Sequence, residues 1–198
     1  MIDTESNSNK TIEIENSNHK KVLYFLKENG YPLKTLSHYY LYYSKIMLIS
    51  NLENKKINAK KEIEVVAALF LAMKITGLHP NFNTIYPIFN KTEKTNLKGA
   101  KEHIDKLTDF SNDIYDLEIF LFENLNFKTF VPCIFLRLGG VFIKEKIDNK
   151  KFYQSCNDIM EILENMFNEK NGYKNVVKVF EDLDFMKEII YKATSKLK

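Results

Sequence analysis

The segment that most constrains the fold is KEIEVVAALFLAMKI, because it is apolar around its whole circumference. From Ile63 to Met73 only Glu64 interrupts the run of apolar residues. A surface helix carries polar residues along one side, whereas a helix that is apolar on every side has to be surrounded by other elements. A glycine and then a proline follow and end the helix. The segment therefore predicts a buried central helix that ends at a lysine, Lys74.

Helical spacing continues on both sides of this segment. The stretch KKVLYFLKEN predicts a first helix stopped by Gly30, and LKTLSHYYLYYSKIMLIS predicts a second. A short helix is expected at NTIYPIFNK, an exposed helix or loop at KTEKTNLKGAKEHIDKLTD, and a fifth helix at SNDIYDLEIFLFENLNF with Ser111 as its N-cap. The second helix places four apolar or aromatic residues on one stripe, at spacings of four, three and four: Leu36, Tyr40, Tyr43 and Met47.

The fold class predicted is all-α, because six glycines and four prolines are too few for the turns of an all-β fold. Residues 19–130 are expected to form a five-helix domain around the central helix. The polar segment 1–18 is expected to be a disordered tail. Residues 131–198 leave room for three or four further helices, which is a shortened helical repeat and less than a second full domain.

Charge and cysteine content exclude several classes of function. The net charge is only +3, and Arg137 is the single arginine among 29 basic residues, which argues against sequence-specific nucleic-acid binding. Cys133 and Cys156 lie 23 residues apart without a CxxC motif, so neither a disulfide framework nor a zinc site is expected. The four histidines never pair at helical spacing and are expected at the surface or in loops rather than on a metal.

Catalytic and membrane signatures are also missing from the sequence. It contains no glycine-rich phosphate loop, HExxH, GxSxG or kinase motif, so a non-catalytic binding protein without cofactor, metal or small-molecule substrate is expected. The longest apolar run, Val65–Met73, is far shorter than the ~20 residues that span a bilayer, and the polar N-terminus is not expected to be a signal peptide. A soluble intracellular protein in the nucleus, the cytoplasm or both is expected.

Three segments in order resemble the cyclin box. AALFLAMK followed by a turn is similar to its central helix, and DLEIFLFENLNF is similar to its fifth helix. FVPCIFLRL looks like the segment that opens the second cyclin repeat, which is incomplete here. The resemblance spans about residues 19–138 and is closer to transcription-type than to mitotic cyclins, because the connection between helices three and five is long.

The resemblance implies a regulatory subunit that binds and activates a cyclin-dependent protein kinase, in cell-cycle or transcription control. In that family a lysine and a glutamate of helices three and five meet at the centre of the contact with the kinase αC helix. By the motif match these residues are Lys74 and Glu118. The partner-facing positions around them are Leu71, Ile75, Phe122 and Phe127.

Two other functions fit the same pattern. A cyclin-fold transcription adaptor similar to transcription factor IIB would require two full repeats and a basic face. An unrelated all-α binding scaffold would make Lys74 a snorkelling lysine at the end of a core helix, and Glu118 a solvated residue. Departures from the cyclin pattern also count: Thr76 and Gly77 stand where many cyclins carry acidic residues, and KKVLYFL matches a substrate-docking patch poorly.

Overall fold

The computed structural model describes residues 18–52, 61–89, 97–125, 131–169 and 172–195. These residues form nine α-helices and no strand, so the predicted all-α class is confirmed. Helix α1 covers residues 18–28. The others are α2 (Leu33–Leu52), α3 (Lys61–Ile75), α4 (Phe82–Phe89), α5 (Leu97–Asn124), α6 (Ile134–Glu145), α7 (Asn149–Asn168), α8 (Gly172–Glu181) and α9 (Leu183–Ser195).

The helices group into two compact units. Unit 1 contains α1, α3, α4 and α5, and unit 2 contains α2 and α6 to α9. The packing therefore does not follow the order of the sequence, because α2 lies between α1 and α3 along the chain but belongs to the second unit. Unit 2 resumes at Thr129, near the predicted boundary at residue 130. That residues 19–130 and 131–198 are two cyclin-like repeats stays a prediction.

In unit 1, α3 is the buried helix and packs along α5, with α4 also against α5. Every described residue of α3 from Ile63 to Met73 is buried, as its all-round apolar surface predicts. The helix ends where Gly77 adopts a left-handed conformation with φ 81°. The amide of Gly77 donates to the Lys74 carbonyl and that of Leu78 to the Met73 carbonyl, which is the Schellman C-terminal motif. This motif fixes Lys74 in the last helical turn, where a cation is favoured by the helix dipole.

Helix α5 is longer than the sequence pattern indicates. It is continuous from Leu97 to Asn124, so the stretch expected to be loop or exposed helix is helical from Leu97 onward. The predicted N-cap at Ser111 is wrong, since Ser111 lies inside the helix and its hydroxyl donates to the Thr108 carbonyl one turn earlier. A serine hydroxyl satisfied in this way does not interrupt the helix, so the local cap signal was overridden by the continuing turn.

In unit 2, helix α2 packs against α8 and α6. The predicted stripe is confirmed, because Leu36, Tyr40, Tyr43 and Met47 are all buried. The tyrosine hydroxyl of Tyr40 donates to Glu164 Oε1 of α7 at 2.8 Å. This hydrogen bond satisfies a polar group that would otherwise be costly in an aromatic core.

The C-terminal segment forms four helices, α6 to α9, as its length predicts. Helix α6 passes through Gly139 and Gly140 without ending there. The stretch VVKVFEDLDFMKEII contributes to two helices, because the chain breaks at Asp182 between α8 and α9. The carboxylate of Asp182 accepts backbone hydrogen bonds from Phe185 and Asp184, which caps the start of α9.

Two histidines lie where the sequence did not indicate. His19 and His38 are buried, so the expected surface or loop position is wrong for both. The ring of His38 stacks edge-on against Tyr42, and its Nδ1 lies 2.9 Å from the Lys34 carbonyl. The residues around His38 in α2 are buried on every side of the helix, which leaves no solvent face for a histidine.

Across the described ranges, no helix has both the length and the apolarity needed to cross a bilayer.

Candidate functional site

The structure brings together Lys74 and Glu118, which lie 44 residues apart in the sequence. Lys74 sits in the last turn of α3, and Glu118 lies in the C-terminal half of α5. Lys74 Nζ donates to Glu118 Oε2 at 2.6 Å. Because α3 packs along α5 within unit 1, this ion pair is positioned by two helices of one packed unit.

Three aromatic rings form a column of successive contacts between Lys74 and the core of unit 1. Lys74 Nζ lies 4.9 Å from the ring centroid of Tyr115, within cation–π range. Tyr115 meets the Phe82 ring edge-on at 5.6 Å, and Phe82 in turn lies 4.4 Å from the ring of Phe70. Phe70 is buried in the middle of α3. The column therefore links the position of the ammonium group to the core of unit 1.

The Glu118 carboxylate is unusually enclosed for a charged group. Its side chain is 8% exposed, whereas that of Lys74 is 41% exposed. Burial raises the pKa of Glu118 above its usual value, and the hydrogen bond and charge of Lys74 offset only part of that increase. Oε1, the oxygen that Lys74 does not contact, is buried and has no hydrogen-bond partner among the described residues. A buried carboxylate oxygen without a donor costs free energy, so the described residues satisfy this ion pair only in part.

Apolar side chains lie exposed next to the ion pair. Tyr115 is 45% exposed and Ile119 is 60% exposed, and they lie one turn apart on the same helix. Large apolar groups grouped at the surface mark interaction sites more often than single exposed ones do. The Lys74–Glu118 surface is defined here as the ion pair with its exposed and half-buried neighbours: Lys74, Ile75, Tyr115, Glu118, Ile119 and Phe122.

The four residues predicted to lie around the ion pair fall into three groups. Ile75 and Phe122 are half-buried and flank the ion pair on α3 and α5. Leu71 is buried in the core of unit 1, where it supports the surface and does not line it. Phe127 lies outside the described residues.

Sequence reasoning missed Tyr115 and Ile119. A signal for them exists, because Ile114, Leu117 and Leu121 already form a complete core-facing stripe on α5. Apolar residues of the same helix that fall outside that stripe cannot pack into the same core, so they have to face elsewhere.

Comparison with known proteins gives no assignment. No family model matches the sequence, and no curated protein matches it. The functional interpretation therefore depends on the ion pair, its surroundings and the sequence resemblance.

The raised pKa of Glu118 predicts how stability depends on pH. Because the folded-state pKa lies above the unfolded-state value of about 4.3, folding favours the protonated carboxyl. The stability of the wild type relative to Glu118→Gln should therefore increase as the pH falls through the folded pKa, and level off below the unfolded one. Urea unfolding of both proteins between about pH 7.5 and 4 measures this difference.

Glu123→Gln, at an exposed glutamate of the same helix, controls for the loss of one charge. A wild type that loses stability relative to Glu118→Gln on acidification would mean that Lys74 dominates the carboxylate.

Proposed function

We propose that this chain is a cyclin-like regulatory subunit that binds and activates a cyclin-dependent protein kinase, in cell-cycle or transcription control. The observation that carries the proposal is the 2.6 Å ion pair between Lys74 and Glu118 beside exposed apolar side chains. Those two positions resemble, in sequence, the lysine and glutamate of the cyclin box.

The free hydrogen-bonding capacity of the ion pair supports a role in binding. Lys74 has three N–H donors, and its side chain is partly open to solvent. Glu118 Oε1 is a buried acceptor without a partner in the described part of the chain. A pair that served only the fold would gain by satisfying that oxygen internally. An incoming protein segment that offers a carbonyl to the partly exposed Lys74 ammonium would add a hydrogen bond to the ion pair.

The exposed apolar side chains beside the ion pair support the same role, because a partner could bury their surface. Tyr115 and Ile119 supply the exposed apolar surface, and the charged pair lies beside them. Protein interfaces have this composition, in which aromatic anchors contribute most of the affinity and desolvated polar pairs fix the register.

In the proposed mechanism the chain contributes no reacting group. The Lys74–Glu118 surface docks on the kinase αC helix and favours the position in which the kinase completes its own Lys–Glu ion pair. Activation then follows from a higher affinity for the active conformation. A shift in the active population from 1% to 99% requires about 5.5 kcal/mol of preference for the active conformation.

The test is co-purification of this chain with a panel of purified cyclin-dependent kinases. The wild type is compared with Lys74→Ala/Glu118→Ala. Asp184→Ala/Lys187→Ala is the matched control, because it removes an exposed ion pair of 2.7 Å on α9. A kinase retained by the wild type and the control, and released by the site variant, is the expected result. Retention of no kinase would reject the proposal and favour an adaptor or scaffold function.

Tyr115 gives a prediction about the cation–π contact. Tyr115→Ala should weaken kinase binding by about tenfold, because it removes both an exposed aromatic anchor and the ring beneath Lys74. Tyr115→Phe keeps the ring and should bind within about twofold of the wild type. Isothermal titration with the retained kinase measures both affinities. Equal losses in the two variants would assign the effect to the tyrosine hydroxyl instead of the ring.

A further inference from the structure

Helix α6 carries an exposed apolar row on the side opposite its core-facing residues. The row consists of Leu136, Gly140 and Ile143, at spacings of four and three. Leu136 is 69% exposed and Ile143 is 82% exposed, whereas the residues that face the core of unit 2 from this helix are buried. Exposed aliphatic side chains that lie together, unlike scattered ones, indicate a surface that a partner covers.

Gly140 leaves the middle of this row open. A Cβ atom placed on Gly140 would meet nothing within 4 Å among the described residues. Leu136 and Ile143 project on either side of it, so the row has a shallow depression between two aliphatic side chains. Because glycine carries no side chain, the backbone of another segment can approach α6 closely at this point.

A second row along the same helix carries positive charge. Arg137 and Lys144 each follow a member of the apolar row by one residue, so both lie along the same edge of it, with Val141 between them. Both residues are exposed, and neither has a carboxylate within ion-pair distance in the described ranges. Arg137 is the only arginine of the chain, and a guanidinium can bind a carboxylate through two parallel hydrogen bonds.

The distribution of charge indicates what covers this side of α6. A second copy of the chain would bring two more cations to it, whereas a segment with carboxylates would neutralise those already present. On the other edge of the apolar row, Gly139 faces the ring of Phe152 of α7, whose Cε2 would lie 3.7 Å from a Cβ atom there. Cations on one edge alone suit a segment that lies along the helix, whereas a plane of anionic lipid headgroups would meet cations on both edges.

We propose that the α6 face, defined as Leu136, Arg137, Gly140, Ile143 and Lys144, binds an amphipathic segment of a partner protein that carries aspartate or glutamate along one edge. Apolar side chains of the segment cover Leu136 and Ile143, and its carboxylates pair with Arg137 and Lys144. The inference is independent of kinase binding, because α6 belongs to unit 2 and the Lys74–Glu118 surface belongs to unit 1.

The test is a selection of binders from a phage-displayed library of random peptides, with the full chain as bait. Peptides of about 20 residues are long enough to form a helix of about 30 Å. Arg137→Gln/Lys144→Gln removes the cationic edge, and Lys174→Gln/Lys192→Gln is its control, because it changes the net charge equally at exposed positions of unit 2. Fluorescence anisotropy measures the affinity of each selected peptide for these proteins, and circular dichroism verifies that the variants retain their helices.

The selected peptides should be enriched in acidic and apolar residues. Arg137→Gln/Lys144→Gln should weaken their binding about fivefold at about 0.05 M salt. The difference from its control should close at about 0.5 M salt, where the Debye length is about 4 Å. Leu136→Ser/Ile143→Ser should weaken binding more than about twentyfold at both salt concentrations. Leu183→Ser/Tyr191→Ser, at exposed apolar residues of α9, should bind within about twofold of the wild type.

Four results would overturn the inference, and none of them bears on kinase binding. The first is a selection that yields no peptide, or peptides without an acidic bias. The second is an affinity that is the same for the α6 variants and their controls. Dimers of the wild type that Leu136→Ser/Ile143→Ser disrupts in sedimentation velocity would assign the α6 face to a second copy. Binding to vesicles of phosphatidylserine and phosphatidylcholine that the same variant abolishes would assign it to a membrane.

Discussion

Lys74→Ala, Glu118→Ala and the double variant should each weaken kinase binding by about 2–5 kcal/mol, which corresponds to a loss in affinity of about 30-fold to several thousand-fold. The single changes should cost almost as much as the double one. Removing Lys74 leaves a carboxylate that is 8% exposed without the cation that it contacts among the described residues, and covering that group with a partner would desolvate it further. Removing Glu118 leaves the ammonium to be buried by the partner alone.

Isothermal titration of the four proteins with the retained kinase forms a double-mutant cycle. Strong coupling between the two positions is expected, because the groups act as one unit. Additive losses would mean that Lys74 and Glu118 contact the kinase independently, and unchanged affinity would make the pair a feature of the fold. Asp184→Ala/Lys187→Ala, which removes an exposed pair on α9, should bind like the wild type.

Phe70→Ala should lower the free energy of unfolding by about 3–5 kcal/mol. Phe70 is 1% exposed in the middle of α3, and its ring lies 4.4 Å from that of Phe82. The substitution removes an aromatic side chain from the buried helix and leaves a cavity that the surrounding helices fill only in part. The loss is a large share of the ~5–15 kcal/mol that stabilises a typical domain.

Urea denaturation followed by circular dichroism measures this effect. Tyr24→Ala is the control, since Tyr24 is an exposed aromatic residue of α1 in the same unit and should change stability by less than about 0.5 kcal/mol. If Phe70→Ala does not fold, Phe70→Leu should still fold with a loss of about 1–2 kcal/mol. A loss below about 1 kcal/mol for Phe70→Ala would contradict the central position of α3.

The central helix could be predicted because its signal is local and strong. A helix that is apolar on all sides has to be the buried central helix of a small helical unit. Helix α3 is buried from Ile63 to Met73, as expected. The proximity of Lys74 and Glu118 came from the order and spacing of three segments that resemble the cyclin box. Their 2.6 Å contact is a finding that residue spacing alone could not supply.

The remaining features depend on tertiary context. Nothing in LKTLSHYYLYYSKIMLIS indicates that α2 packs with α6 and α8, which come much later in the sequence. The break at Asp182 has no signal in the apolar spacing, which continues across it, and the backbone hydrogen bonds that cap α9 are visible only in the structure. Burial of His38 follows from the packing around the whole of α2, whereas its sequence context showed one buried stripe.

The most direct test of kinase activation is a titration of the retained kinase with this chain, measuring phosphate transfer to a peptide substrate. We expect the wild type to activate the kinase in a saturable manner. Lys74→Ala/Glu118→Ala should leave the kinase at its basal rate, even at concentrations at which the wild type saturates. Kinase activity that stays at its basal rate with the wild-type chain bound would contradict a regulatory role. In that outcome the Lys74–Glu118 surface would serve binding without activation.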